Sequence, residues 1–251
     1  MVRNIKLIIS YDGTAYNGWQ KQLNGPSIQE TIEKAASKVM KQKIDLVGSG
    51  RTDRGVHALG QVANFNADTK IEDAKIKMAL NATLPKDIRI IDSVDVPLEF
   101  NSRYDAHDKT YMYQIYNERI SNPFYSRYSW FVPSILDIEK MEQAIKLIIG
   151  SHDFRGFMAT GSQVKTTVRT VYEARLIHDN ELVKLYVSGS GFLYNMVRII
   201  AGTLIDIGKG SREISCIENA LRNKDRTVLG QTARPEGLFL LSVNYKKTLD
   251  N

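Results

Sequence analysis

The chain holds a single cysteine, Cys216, in 251 residues, so no internal disulfide can form and a disulfide scaffold is excluded. A reducing cytoplasm is the compartment this implies. Metal-ligand spacing is also missing: there is no CxxC, and His57, His107, His152 and His178 are scattered without an HExxH pair. No Gly-Lys-Ser/Thr follows a glycine-rich stretch, which excludes a Walker-type phosphate cradle, and no GxSxG supplies a nucleophilic serine. No apolar run approaches the ~18 residues of a membrane span. The opening MVRNIKLIISYDGT has a short apolar stretch and no small-residue cleavage site, and reads as a first strand instead of a signal peptide.

What is present is the composition of an ordinary globular protein, 43% hydrophobic and 25% charged, long enough for one large domain or two modest ones. Against 28 Asp and Glu stand 34 Lys and Arg, a net charge of +6, with a pI near 9.2. That excess permits a polyanionic partner such as RNA and weakens any reading built on a cationic substrate. A basic surface with no partner explains it equally well.

Apolar periodicity alternates between strand and helix. Residues 4–11 form a β-branched run ended by Asp12-Gly13, and Ser27 with Glu30 makes a capping box ahead of Ile28, Ile32, Ala35 and Val39. IDLVGSG (44–50) reads as a strand entering a glycine-rich loop, GQVANFNA (60–67) as an alternating strand leaving it and DIRIIDSVDV (87–96) as another strand, with a helix over IEDAKIKMALNATL (71–84). Later come a strand over KTYMYQIYN (109–117) and a helix capped by Asp137 with Gly150 as its stop. A hairpin over 166–189, a long apolar helix over 191–208, a surface helix over 211–223 and a buried strand over 238–245 close the chain. The weakest point is the polar stretch EFNSRYDAHDK, which suggests an N-terminal half over 1–104 and a C-terminal half over 105–251. Two α+β halves sharing one sheet system fit this pattern better than a doubly wound fold.

The densest chemical signal is GSGRTDRGVHALGQ, residues 48–61. Its glycines imply a tight loop, and inside it Asp53 is flanked by Arg51 and Arg54. Cationic neighbours favour an ionised carboxylate, which suits a nucleophile or an electrostatic stabiliser. A structural turn with an Asp–Arg surface pair accounts for the same spacing. No second carboxylate for glycoside hydrolysis lies in the loop. His57 reads as a hydrogen-bonded structural residue.

Arg198 is anomalous because Met196, Val197, Ile199, Ile200, Leu204 and Ile205 surround it in sequence. Asn195, Arg198, Gly202 and Asp206 form a narrow polar stripe at helical spacing. A guanidinium so near a core needs compensation, and Asp53 and a local Asp206 are both candidates. Tyr111 lies in a tyrosine-rich strand with Tyr113 and Tyr116, which is either core or a stacking surface for an extruded base. Tyr16 and Trp19, in SYDGTAYNGWQ, read as core packing.

Taken in order, YDGTAYNGWQ (11–20), GSGRTDRGVHALGQVANF (48–65), KTYMYQIYN (109–117), HDFRGF (152–157), GFLYNMVRIIAGTL (191–204) and ARPEGLFL (233–240) resemble the tRNA pseudouridine synthases that modify the anticodon stem-loop, the A-type synthases. GRTDRGVHA is highly specific to that family, and the segments span nearly the whole chain. Arg234 stands where a proline is common, and Arg155 where a small polar residue is common.

The resemblance implies an α+β fold of two ferredoxin-like halves. They form a continuous, mostly antiparallel sheet, with helices on one side and a central basic cleft. It implies isomerisation of uridine to pseudouridine at positions 38–40 of tRNA, in a homodimer without metal or organic cofactor. Asp53 becomes the catalytic aspartate, Tyr111 the tyrosine that stacks on the target uracil and Arg198 the residue that pairs with the aspartate. Arg51 and Arg54 would grip phosphates, and Gly237 and Leu238 would stand at the pocket wall. A non-catalytic RNA-binding module and a nucleoside glycosidase are the rival readings.

Overall fold

The computed structural model describes residues 1–161 and 164–246. Its packing defines two units, Met1–His107 with Phe239–Lys246, and Asp108–Leu238. The sequence boundary at 104/105 thus meets a changeover at His107/Asp108, and the last strand rejoins the first unit.

The chain begins with β1 (Val2–Tyr11), α1 (Ile28–Met40), β2 (Val47–Gly48), β3 (His57–Asp68), α2 (Asp73–Thr83) and β4 (Ile88–Val96). It continues with β5 (Ala106–Tyr116), β6 (Trp130–Phe131), α3 (Ile138–Lys146), β7 (Gly150–Asp153), β8 (Val168–Asp179) and β9 (Leu182–Gly189). The helices α4 (Met196–Gly208) and α5 (Ser215–Asn223) precede the closing strand β10 (Leu238–Tyr245).

In the first unit β1 is antiparallel to both β3 and β4, while β2 pairs antiparallel and β10 parallel with β3. The path β1–α1–β2–β3–α2–β4 with spatial order 4-1-3-2 is ferredoxin-like. The alternation of β1 explains it: Ile5, Leu7 and Ile9 are fully buried on one face, next to polar positions on the other. Across the strand pair, Ile9 stands opposite Gln61, Leu7 opposite Ala63 and Ile5 opposite Phe65. At the start of α1, Ser27 Oγ accepts the Glu30 backbone N–H at 3.3 Å, the capping arrangement read from the sequence.

In the second unit β5, β9, β8 and β7 pair antiparallel in that order, and the short β6 runs parallel beside β5. Asp137 caps α3 by accepting the Lys140 N–H at 3.0 Å. The 166–189 hairpin forms as expected, its turn closed by Asn180 at φ 52°. Both units are mixed α+β with mostly antiparallel strands, the fold class expected from the sequence.

Three local expectations need correction. The strand entering the glycine-rich loop is limited to Val47–Gly48, while Gln61 holds Ser49 and Gly50 in the loop as expected. The long apolar helix starts at Met196 instead of 191, since Gly191 at φ 152° and Asn195 at φ 60° break the helical path. Helix α3 stops at Lys146, and Gly150 opens β7 instead of ending the helix.

Candidate active site

Asp53 lies in the loop between β2 and β3 of the first unit, partly exposed, on a buried polar scaffold. Gln61, fully buried on β3, is the hub. Its Oε1 accepts Ser49 Oγ–H at 2.6 Å and Val62 N–H at 3.1 Å, and its amide donates to Gly50 O at 3.0 Å. Buried polar groups are retained where every one is satisfied, and such a network fixes one loop conformation. Thr52, just before the aspartate, is held from two sides: Trp19 N–H donates to its carbonyl at 3.0 Å, and its hydroxyl meets Tyr11 Oη at 2.7 Å. Burial pushes the Tyr11 phenol well above its ordinary range, so it stays protonated as a hydrogen-bonding partner. Val56 N–H closes the turn onto Asp53 O at 3.1 Å.

The segment 11–20 presses directly on this loop. Gly18 has φ +94°, and a Cβ there would lie 2.5 Å from Thr52 O and 3.0 Å from the Asp53 carbonyl carbon. Only glycine meets both demands. His57 is 1% exposed; its Nδ1 accepts Gly13 N–H at 3.1 Å and its ring stacks on Phe239 at 4.8 Å. The structural role read for it from sequence holds. Tyr16 and Trp19 are buried, as expected for core, but Trp19 also braces the loop through its backbone. Arg51 is exposed with Nε donating to Gln20 Oε1 at 3.1 Å, and Arg54 is exposed.

The second unit carries the other sequence candidates. Tyr111 on β5 is 9% exposed and meets Phe192 edge-on at 5.2 Å. Neighbouring Tyr113 is fully buried and donates to Arg234 O at 2.8 Å; Gly237 packs against it so closely that a Cβ would come within 2.7 Å of the ring. Leu238, 6% exposed, follows directly. Arg198 sits in the first turn of α4, with Nε donating to Ala233 O at 2.8 Å and Nη1 to Asn195 Oδ1 at 2.9 Å. Asn195 is not on the helical stripe expected for it: it is the left-handed cap, turned so that its amide receives the guanidinium. The local alternative for Arg198 meets a competitor, since Asp206 pairs with Arg212 at 3.3 Å.

The structure therefore sets Asp53, Arg51 and Arg54 in the first unit and Tyr111, Arg198, Gly237 and Leu238 in the second. Sequence reasoning passed over Gln61, Ser49 and Gly18 as builders of the aspartate loop. Gln61 did leave a signal: it is a polar residue in the inward register of β3, facing Ile9. The loop 228–233 beside α4 left none, because Ala233 acts through its carbonyl alone. Among the described residues no group of three or more His, Cys, Asp or Glu is placed to hold a metal ion, and no helix is long and apolar enough to cross a membrane.

The family model described as tRNA pseudouridine synthase matches residues 7–105 and 144–246, and the chain belongs to that family. It is 48% identical over 244 residues to tRNA pseudouridine synthase A of Caldicellulosiruptor bescii, covering 97% of this chain and 100% of that protein. To tRNA pseudouridine synthase A 2 of Clostridium tetani it is 47% identical, with 98% and 100% covered. The corresponding protein of Acetivibrio thermocellus is 45% identical, with 97% and 100% covered.

Proposed function

We propose that this protein isomerises uridine to pseudouridine in the anticodon stem-loop of tRNA, at positions 38–40, with Asp53 as the nucleophile. The observation that carries the reading is the family match, which includes both Asp53 and Arg198, joined to 48% identity with a synthase of this name over 97% of the chain. The reaction detaches uracil from ribose, turns it and rejoins it through carbon, with no net water or redox change. One carboxylate then suffices, so a lone aspartate in a firmly braced loop fits.

In this reading Arg198 keeps Asp53 ionised and aimed, and its bonds to Ala233 O and Asn195 Oδ1 support a fixed guanidinium. Tyr111 holds the extruded uracil by stacking, and its phenol removes the ring proton after rejoining. Arg51 and Arg54 take backbone phosphates, while Gly237 and Leu238 wall the base pocket. The working form is a cytoplasmic homodimer with one tRNA touching both copies, and no metal or organic cofactor takes part.

Incubating unmodified tRNA with the protein and mapping carbodiimide-primed reverse-transcription stops tests this. Stops at one or more of positions 38–40 are expected. Binding without stops identifies an RNA-binding module, and release of free uracil identifies a glycosidase; either result overturns the reading.

A further inference from the structure

Two guanidiniums beyond those already assigned straddle the loop that runs back along α4. Arg212 donates through Nη1 to Val228 O at 2.7 Å and pairs through Nε with Asp206 Oδ2 at 3.3 Å. Arg226 reaches the next carbonyl, Leu229 O, and Thr232 Oγ1, both at 3.4 Å. Adjacent acceptors on one loop thus bring both cations to the same place. Among the described residues, Asp206 is the one carboxylate within ion-pair distance of either. Asp225, next in chain to Arg226, spends its Oδ1 on the Thr227 N–H and hydroxyl, both at 2.8 Å.

The cluster is therefore short of one negative charge. Bonds of 3.4 Å are at the long limit and do little to compensate a partly buried cation. Burial, and then the neighbouring Arg212, lower the affinity of Arg226 for its proton, an electrostatic mark of the same shortage. The loop is nevertheless tightly placed. Gly230 N–H donates to Thr203 Oγ1 at 3.0 Å, and Gly202 leaves room for the Gln231 carbonyl to lie against α4. A rigid loop holding an undercompensated pair of planar guanidiniums is suited to a phosphate, which accepts forked hydrogen bonds from arginine.

We propose that Arg226 and Arg212 form a subsite for a phosphodiester of the tRNA strand flanking the target uridine. This rests on the reading of the protein as a tRNA-modifying enzyme. Asp206 and Arg198 are eight residues apart on α4, about 12 Å along the axis at ~1.5 Å per residue. That is the reach of a few nucleotides at roughly 3.4 Å each, so a strand reacting near Arg198 passes the subsite.

The test is tRNA affinity across a salt series from about 50 to 200 mM, the window in which phosphate contacts show in the slope. Arg226→Gln is expected to lower affinity and to flatten log K against log[salt] by about 0.7 to 0.9, so the wild type loses roughly threefold more affinity than the variant over that range. Arg226→Lys keeps the charge, and should restore the slope while recovering only part of the affinity. Thr227→Glu places a negative charge on the exposed neighbour without touching either guanidinium, and should weaken binding while Thr227→Gln does not. This second pair of variants serves if Arg226→Gln fails to fold.

A wild-type slope in Arg226→Gln, or equal losses for Lys and Gln at an unchanged slope, overturns the subsite and leaves Arg226 as a loop staple. Wild-type binding of Thr227→Glu also overturns it. Pseudouridine formation by the wild type is assayed alongside. Pseudouridine formed with an Arg226-independent slope sinks the subsite alone, whereas an Arg226-dependent slope with no pseudouridine sinks the isomerase reading alone.

Discussion

Asp53 and Arg198 are held in unlike ways. Around Asp53 the work is done by main chain and buried neutral groups: Gln61 gathers three hydrogen bonds, and Gly18 lets one loop lie on another. Around Arg198 it is done by the charged side chain itself, which reaches out to one carbonyl and one amide. The second unit repeats the habit at Asp153, whose Oδ1 accepts Thr167 Oγ–H at 2.6 Å while Oδ2 takes Lys224 at 2.9 Å. Asp53, with its short side chain, is delivered by its backbone, whereas Asp153 is met by longer partners at its carboxylate. A long side chain such as arginine can be caught at its tip. The contrast makes different atoms vulnerable in the two units.

The largest effect is expected at Asp53 itself. Asp53→Asn keeps the loop and removes the carboxylate proposed as nucleophile, so pseudouridine formation should fall by several orders of magnitude while tRNA affinity stays close to wild type. Substantial turnover by a revertant-free preparation would remove Asp53 from the role.

Gly18→Ala attacks the delivery of that backbone. Left-handed strain together with the clash on Thr52 O should cost roughly 2–4 kcal/mol of stability and at least tenfold in rate. Denaturant melts and turnover measured together check it; a variant of wild-type stability and rate would show that the two loops separate freely.

On the arginine side, Asn195→Gly tolerates the left-handed backbone and deletes only the acceptor. Losing a bond to a charged group, ~1.5–3 kcal/mol, should lower kcat about tenfold and the melting temperature by only several degrees. Arg198→Lys should fall lower, because an ammonium cannot reach Ala233 O and Asn195 Oδ1 in the same fork. If Asn195→Gly instead melts the protein, the asparagine belongs to the fold and not to the arginine.

The smallest effect concerns Asp153. Its bond from Thr167, and then that from Lys224 over the cost of burial, hold its carboxyl down to about 2, against an ordinary 3.8. The stabilisation is complete above the unfolded value and is lost as pH falls from about 4 towards 2. Because the group is only partly shielded, the effect should be on the order of 1 kcal/mol. Stability of Asp153→Asn should be lower at neutral pH and should decline less steeply with acid; parallel wild-type and variant curves would count against the latch.

Much of this was legible in the chain. The strand over 238–245, the Ser27 and Asp137 caps and the 166–189 hairpin all appear where local pattern put them. Each is a signal confined to a few residues, an apolar period or a side chain bonding its own neighbour. The aspartate loop was visible through its glycines and flanking arginines, although its supports were not. At 44–50 a partner from elsewhere overrides the local pattern, whereas at 191–195 the chain turns locally through the positive-φ residues Gly191 and Asn195. Gln61 bends the first segment away from strand, and Asn195 spends an unfavourable backbone angle on meeting Arg198.

Sequence alone determined the kind of elements, their order, the family and the identity of its charged residues, because periodicity, capping and motif are properties of neighbours along the chain. Tertiary structure alone decided what holds those charges. The approach of Gly18 to Thr52, of Gly202 to Gln231 and of Arg212 to the loop bearing Arg226 are all made by residues distant in the chain. Such contacts depend on close packing to within a few tenths of an ångström, and no local pattern records which two backbones will touch.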